Sequence, residues 1–228
     1  MNKYLPKIRF QKGFTIVELT IASTIFSLVL LVALTSFLQI GRSFYKGVSV
    51  TTTQNVATQV VNDISDNLQT TTSVATGAGG APINSGGANG YYYFCVGTSR
   101  YTWTKVSNVP VAANDAGGIT YGSGVAANYG LLKDTPPGCS APCAGAGPNC
   151  FPQTKPVEML GDQMRVASLT MVNTSAKLYN INIVVAYGSN QVLTFPSSGP
   201  PTCGGGSASK AYCSVANMST TVYAGTRS

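Results

Sequence analysis

The sequence contains no histidine and few charged side chains. Histidine is the commonest general base and the commonest nitrogen ligand of metals, so its absence removes most hydrolytic and metal-dependent active sites. Asp, Glu, Lys and Arg make up 9% of the residues, against about 25% in ordinary soluble domains. The acids are scattered, and the closest two, Asp63 and Asp66, are three residues apart, about one helical turn. These absences argue against an enzyme, and the sequence indicates no cofactor and no metal site.

The net charge of +7 is concentrated at the N-terminus. Four of the fourteen basic residues precede the first long apolar run, namely Lys3, Lys7, Arg9 and Lys12. The rest of the chain holds ten basic and seven acidic side chains, a net charge of +3. A strongly basic chain is a sequence signal for nucleic-acid binding. Because most of the excess positive charge lies before the apolar run, nucleic-acid binding loses most of its support.

One apolar run, residues 14–40, is long enough to cross a membrane. As a helix it would extend about 40 Å, against a hydrocarbon core of about 30 Å. Four basic residues precede the run, and only Arg42 and Lys46 follow it closely. The sequence therefore predicts a single pass through the inner (cytoplasmic) membrane, with the N-terminus in the cytoplasm and the C-terminal part exported.

An ordinary secretory signal peptide fits this run poorly. Its apolar region would be about 7–15 residues long and would end at a small-x-small cleavage site. Residues 14–40 are nearly twice that length, and Glu18 interrupts them five residues from their start. A carboxylate inside a membrane segment is costly and usually functional. The alternative is that Glu18 lies at the level of the lipid headgroups and has no specific function.

Residues 12–19, KGFTIVEL, resemble the processing site of class III prepilins, the precursors of type IV pilins and type II secretion pseudopilins. The resemblance implies that a prepilin peptidase cuts between Gly13 and Phe14. It also implies that the new amine of Phe14 is N-methylated and that Glu18 becomes the fifth residue of the mature chain. The resemblance covers about the first 45 residues.

Helical geometry gives Glu18 a chemical role beside this cleavage site. Glu18 lies four residues after Phe14, so both residues share one helix face. The carboxylate would neutralise the Phe14 ammonium group of its own chain or that of a neighbouring subunit. Pairing between subunits would set the register of fibre assembly, as the family is thought to use it.

The helix is predicted to continue beyond the membrane as an amphipathic segment. Gly47 and the β-branched residues 48–53 weaken its beginning and make a kink or partial melting plausible there. After them, apolar residues recur at helical spacing opposite polar ones, which predicts a helix of residues 14–70 whose second half packs on a globular head. The apolar residues of this stripe are Val56, Ala57, Val60, Val61, Ile64 and Leu68.

The remainder predicts a β-rich head, so the fold class is α+β, with a long helix packed on an antiparallel sheet as in pilins. Residues 90–97 and 100–106 form a predicted hairpin. Residues 164–173 and 177–188 predict the best strand pair, with period-two alternation in the second, and residues 191–195 and 212–223 predict further strands. The predicted organisation is a leader (1–13), a transmembrane assembly helix (14–40), an amphipathic helix (41–72), a Gly-rich linker (73–90) and a head (91–228).

All six cysteines lie on the side predicted to be exported, where an even number argues for disulfides. Two of them flank a Gly-rich segment and are the favoured pair, Cys203 and Cys213. Of Cys139, Cys143 and Cys150, two are expected to bridge locally and the third to reach Cys95 in the first hairpin. A zinc site is the alternative, because C-x3-C-x6-C offers three thiolates. These remaining cysteines are Cys95, Cys139, Cys143 and Cys150.

Taken together, the resemblance, the long insertions and the cysteines favour a minor pilin. Its expected partners are prepilin peptidase, other pilin subunits in a fibre, and the membrane through residues 14–40. The alternatives are a type II secretion pseudopilin, a tip subunit that binds a surface or DNA, and a permanently anchored membrane protein. The candidate binding surface of a tip subunit would be the Tyr-rich hairpin with loop 133–157. The sequence does not identify a surface ligand or a nucleic acid.

Overall fold

One long N-terminal helix and a set of antiparallel strands make up the structure, a computed structural model. The α+β architecture predicted from the sequence is confirmed. The helix, α1, spans Ile16–Thr70, and the chain divides into two compact units between Ser43 and Phe44. The structure describes residues 13–71, 73–84, 91–104, 130–136, 138–139, 157–161, 163–175, 177–189, 192–194, 196, 199–204 and 209–226.

The part of α1 in the first unit is apolar and exposed. An 18-residue window of the helix reaches a mean hydropathy of 2.3, and none of that window is buried. By length and composition this helix can cross a membrane. In the second unit α1 remains helical through Gly47 and the β-branched residues 48–53. No break occurs at the point where the sequence made one plausible.

The second unit buries the predicted apolar stripe of α1. Ala57, Val60, Ile64 and Leu68 are fully buried, and Val61 is 5% exposed. They share one core with side chains from the strands. Burying a side chain the size of Leu or Ile contributes about 1.5–3 kcal/mol. This apolar stripe therefore attaches the helix to the head.

The first sheet has six strands, and every pairing in it is antiparallel. Its order is β1-β3-β4-β5-β6, with β2 also paired to β3. The β3–β4 hairpin turns at Gly97, whose φ of 61° meets the need of a two-residue hairpin loop for a positive φ. The strands are β1 (Val74–Ala75), β2 (Ile83–Asn84), β3 (Tyr91–Val96), β4 (Ser99–Thr104), β5 (Leu132–Asp134) and β6 (Val157–Glu158).

Residues 73–84, the described part of the predicted Gly-rich linker (73–90), contribute the two short strands β1 and β2. Both pair with β3, through Val74 opposite Val96 and Ile83 opposite Tyr93. The backbone groups of β3 need partners that composition alone does not reveal. Gly80 between these strands has φ 79°, and a Cβ there would lie 2.3 Å from a backbone oxygen of Met171. Close packing is thus one reason for glycine in this segment.

The second sheet has three strands in the order β11-β8-β7. The strands are β7 (Met164–Ser175), β8 (Leu178–Tyr187) and β11 (Ser214–Tyr223), so the predicted pair and the predicted C-terminal strand are both present. The strand predicted at 191–195 is only Leu193–Thr194 (β9). It pairs with Thr202–Cys203 (β10) in a separate ribbon and does not extend the sheet.

Strand β8 shows the predicted alternation over its first part only. Ile181, Ile183 and Val185 are fully buried and face the core shared with α1. Near the end of β8, Ala186 on the opposite face is also buried, in a second cluster with Leu193 and Cys213. The β9–β10 ribbon supplies part of that cover, which the period-two pattern does not anticipate.

Polar contacts fix the register of α1 on the first sheet. The Tyr101 hydroxyl donates to Asp63 Oδ2 at 2.7 Å, and Asn67 Nδ2 donates to the Tyr101 oxygen at 2.9 Å. Lys133 Nζ binds both oxygens of Asp63 at 2.8 and 2.9 Å. Burial, followed by the hydrogen bond to the Asp63 carboxylate, raises the pKa of Tyr101, so its hydroxyl remains a donor.

Candidate processing and assembly site

The start of α1 is closed by a capping box. Thr15 precedes the first helical residue, and its Oγ1 accepts a hydrogen bond from the Glu18 backbone N–H at 3.2 Å. In return, Glu18 Oε2 accepts from the Thr15 backbone N–H at 2.9 Å and from the Thr15 hydroxyl at 3.0 Å. This reciprocal arrangement satisfies two backbone donors that the helix itself leaves without partners.

The peptide bond between Gly13 and Phe14 lies just outside the helix. Residues 13–15 have no regular secondary structure, and all three are exposed. The Phe14 side chain is 84% exposed, and a Cβ built on Gly13 meets nothing within 4 Å. Among the described residues, therefore, nothing packs against Gly13 closely enough to require a glycine. A requirement for glycine would have to come from an enzyme that reads this position.

The first half of α1 presents apolar side chains on all sides. A helix that is apolar all round needs lipid or other helices around it. The large apolar residues between 14 and 40 are each at least 45% exposed. They are Phe14, Ile16, Val17, Leu19, Ile21, Ile25, Phe26, Leu28, Val29, Leu30, Leu31, Val32, Leu34, Phe37, Leu38 and Ile40.

The hydroxyl groups that follow Glu18 in this apolar segment are satisfied by the helix itself. Each donates to a backbone carbonyl three or four residues earlier, at 2.8–3.0 Å. Such bonds let Ser and Thr enter hydrocarbon without an unpaired donor. Glu18 is the exception, because hydrogen bonds do not neutralise an ionised carboxylate, and an unpaired charge is costly in hydrocarbon. The residues concerned are Thr20, Ser23, Thr24, Ser27, Thr35 and Ser36.

The structure thus places the three predicted site residues, Gly13, Phe14 and Glu18, on one exposed helix terminus. It gives Glu18 a partner that the sequence reasoning missed, namely Thr15. The signal was available, because Thr-x-x-Glu before an apolar run is the sequence pattern of a capping box.

The described residues of the second unit include two disulfides. Cys203 is bonded to Cys213, the pair that the sequence favours, and Cys95 is bonded to Cys139. While it is oxidised, Cys139 is not available as a zinc thiolate. Cys143 and Cys150, with most of loop 133–157, lie outside the described residues.

The Tyr-rich hairpin contributes largely to the core. Tyr101 is fully buried and Tyr93 is 6% exposed, while Tyr92 is half-buried against Trp103. Buried aromatic rings offer little surface to a ligand. Strand propensity and core packing therefore account for these tyrosines better than adhesion does.

The acids of the sheet have local partners. Asp134 on β5 forms a buried ion pair with Arg100 on β4. Glu158 Oε1 accepts hydrogen bonds from the backbone N–H groups of Leu131 at 3.1 Å and Leu160 at 2.8 Å. Burial nevertheless raises the pKa of Glu158. Within the described residues, the contacts of Asp134 and Glu158 hold the sheet and its neighbouring loops together.

Comparison with known proteins identifies the N-terminal segment. Residues 8–34 match the family model described as the prokaryotic N-terminal methylation motif. The chain therefore carries the class III prepilin signal of type IV pilins and pseudopilins, and the motif supports a pilin-like or pseudopilin subunit. No curated protein and no solved structure matched the chain.

Proposed function

We propose that this chain is a minor subunit of a type IV pilus-like fibre. In this proposal prepilin peptidase hydrolyses the Gly13–Phe14 bond and releases residues 1–13. The Phe14 amine is then methylated. The mature subunit leaves the membrane and joins the fibre, in which its N-terminal helix packs against those of other subunits. The methylation motif at residues 8–34 is the observation that carries this proposal.

The geometry of the helix terminus supports the processing step. The bond to be cut lies in exposed chain before the capping box, so a peptidase can bind it in extended form without unwinding α1. The box itself uses the backbone N–H groups of Thr15 and Glu18. Cleavage before Phe14 removes neither group, so the mature helix keeps its cap.

Assembly follows from the exposed apolar surface and from Glu18. Packing such helices together in a fibre core removes the same apolar side chains from contact with lipid. In the core, the Glu18 carboxylate of one subunit pairs with the Phe14 ammonium group of its neighbour. That ion pair avoids an unpaired charge in an apolar environment and sets the axial register.

A Gly13→Ile variant tests the proposed processing. Since a side chain at Gly13 meets no neighbour, we expect the variant to fold. We expect it to remain in the membrane at full length, because the proposed cleavage by prepilin peptidase requires glycine before the cut bond. Intact-mass measurement of membrane fractions from a host with the peptidase will show whether residues 1–13 are retained. Gly41→Ile is the matched control, because Gly41 also has an open Cβ position and lies outside the predicted cleavage site. Mature-sized protein from the Gly13 variant would refute the assignment.

A type II secretion pseudopilin is the second candidate, because the matched motif serves both systems. Deletion of the chromosomal copy separates them. Loss of surface pili, with normal release of exported hydrolases, supports the pilus. Normal pili with hydrolases retained in the periplasm support the pseudopilus.

A further inference from the structure

Three exposed aromatic rings cluster near the start of the second unit. Phe44 is 68% exposed, Tyr45 is 56% exposed and Tyr212 is 54% exposed. The ring centroids of Tyr45 and Tyr212 are 5.8 Å apart, and those of Phe44 and Tyr45 are 6.2 Å apart. Tyr212 lies next to Cys213, so the disulfide to Cys203 restrains it. We call Phe44, Tyr45, Val48 and Tyr212 the aromatic patch.

Three members of the patch, Tyr45, Val48 and Tyr212, line part of a groove of about 140 Å³. Its lining is mostly apolar and includes Ala211 and Tyr187 besides three members of the patch. Apolar clusters exposed on a folded surface commonly mark interaction sites. Tyrosine offers an apolar ring and a polar hydroxyl, which suits a boundary between hydrocarbon and water.

The described charged residues closest in sequence to Tyr45 and Tyr212 are both positive. Lys46 and Lys210 are exposed and belong to the same segments as Tyr45 and Tyr212. In the sequence, no acid occurs between Glu18 and Asp63, and none follows Asp162. The local field therefore favours anions such as lipid phosphates.

Part of the aromatic patch follows the apolar run closely in the sequence. Phe44 and Tyr45 follow Ile40, the last residue of the apolar run, by four and five positions. At about 1.5 Å per residue, Tyr45 lies about 7 Å beyond Ile40 along the helix. The headgroup layer on each side of a bilayer is about 5–8 Å thick. With Ile40 at the edge of the hydrocarbon core, Phe44 and Tyr45 fall within the headgroup layer, the depth at which membrane proteins concentrate tyrosine.

We propose that the aromatic patch, with Lys46 and Lys210, docks the head onto the headgroup layer of the exported leaflet before the subunit enters a fibre. The proposal rests on the membrane anchoring included in the proposed function. The rings enter the interface, and the two ammonium groups bind lipid phosphates. The same patch on a second copy is a poorer partner, because a symmetric contact would bring these lysines against their own kind.

Tryptophan substitution tests this docking in the full-length chain. The chain is reconstituted in nanodiscs at one copy per disc, with lipids brominated near the headgroup end of the acyl chain. Tyr212→Trp and Phe44→Trp place a fluorophore in the patch. Tyr223→Trp is the matched control, because Tyr223 is 53% exposed and lies at the other end of β11. Wild-type protein gives the baseline from buried Trp103.

We expect brominated lipid to quench Tyr212→Trp and Phe44→Trp at least twofold more than Tyr223→Trp. Quenching of Tyr212→Trp is expected to increase with phosphatidylglycerol and to decrease when Lys46 and Lys210 are replaced by Gln. Quenching no greater than that of Tyr223→Trp, in discs that retain the protein, overturns the docking and leaves the anchor intact. Reduced quenching of Tyr212→Trp that occurs only with several copies per disc identifies a second copy as the partner of the patch and also overturns the docking to lipid. A chain that does not insert contradicts the anchor as well.

Discussion

At the scale of single residues, Glu18 combines a local role with a proposed intersubunit one. In the single chain its carboxylate closes the capping box with Thr15. In the proposed fibre it neutralises the Phe14 amine of a neighbour. The first role needs only a hydrogen-bond acceptor, whereas the second needs a negative charge. A substitution that removes the charge and keeps the acceptor therefore separates the two roles.

Glu18→Gln is that substitution, because glutamine also serves at the third position of a capping box. We expect the variant to be processed after Gly13, to retain the helix content of wild type by circular dichroism, and to give at least tenfold less fibre. Intact mass and the yield of sheared fibres are the measurements. Glu18→Asp is the control that keeps the charge on a shorter side chain and should recover part of the yield. Fibres at the wild-type level from Glu18→Gln would rule out the ion pair.

Glu158 connects single-residue chemistry to stability. Burial raises its pKa in the folded state above the unfolded value of about 4.3. Between those two pKa values the folded state binds more protons than the unfolded state. The free energy of unfolding therefore falls as pH rises through this window. The stabilisation is fully present below the unfolded pKa and is lost above the folded one.

Glu158→Gln removes this titration while keeping a carbonyl oxygen for the Leu131 and Leu160 N–H groups. We expect the stability of the variant relative to wild type to increase between pH 4 and neutral pH, because only wild type acquires a buried charge. Denaturant midpoints of the full chain in detergent at both pH values measure this. A relative stability that does not change with pH contradicts the prediction.

At the scale of elements, α1 is attached to the head by an apolar stripe and by the polar group around Asp63. The stripe was readable from the sequence because its spacing is local. The partners of Asp63 were not, since Tyr101 and Lys133 are 38 and 70 residues away. Strand β5 was missed partly for the same reason, since its Asp134 pairs with the distant Arg100 on β4. In addition, β5 is only three residues long, too short for a periodic pattern.

Tyr101→Phe tests the polar part of this attachment. The substitution removes a buried hydroxyl that donates to Asp63 and accepts from Asn67. We expect a loss of about 1–3 kcal/mol in the free energy of unfolding, because the Asn67 amide loses a partner. Tyr223→Phe, at an exposed position, should change stability by less than about 0.5 kcal/mol. Equal effects of the two variants in denaturant titrations would contradict the role of the hydroxyl.

At the scale of the whole molecule, sequence reasoning predicted the plan better than its details. The helix, its apolar stripe and the β7–β8 pair follow from local periodicity. The residues around Gly13 and Glu18 were recognisable because their spacing is a motif. The pairing of β1 and β2 with β3, and the β9–β10 ribbon, depends on which sheet edges remain open. Only the assembled fold determines that.

The two disulfides restrain segments of very different length. Cys95 and Cys139 are 44 residues apart, whereas Cys203 and Cys213 are 10 residues apart. In the chain-entropy model these closures contribute about 4 and about 3 kcal/mol, respectively. Both lie in the part of the chain predicted to be exported, where an oxidising environment lets such bonds persist.

We therefore expect replacement of both Cys95 and Cys139 by Ala to destabilise the head more than the same replacement of Cys203 and Cys213. Replacing both cysteines of a pair leaves no new free thiol, and alanine avoids placing a hydroxyl at Cys95 or Cys213, which are 3% and 1% exposed. Denaturant titration of the full chain in detergent, followed by Trp103 fluorescence, gives both values. The reverse order would show that the smaller loop does more than restrain the unfolded chain. Its bond also restrains Tyr212, whose ring centroid lies 5.8 Å from that of Tyr45. Its loss should therefore additionally weaken lipid quenching of Phe44→Trp, which loss of the Cys95–Cys139 bond should leave unchanged.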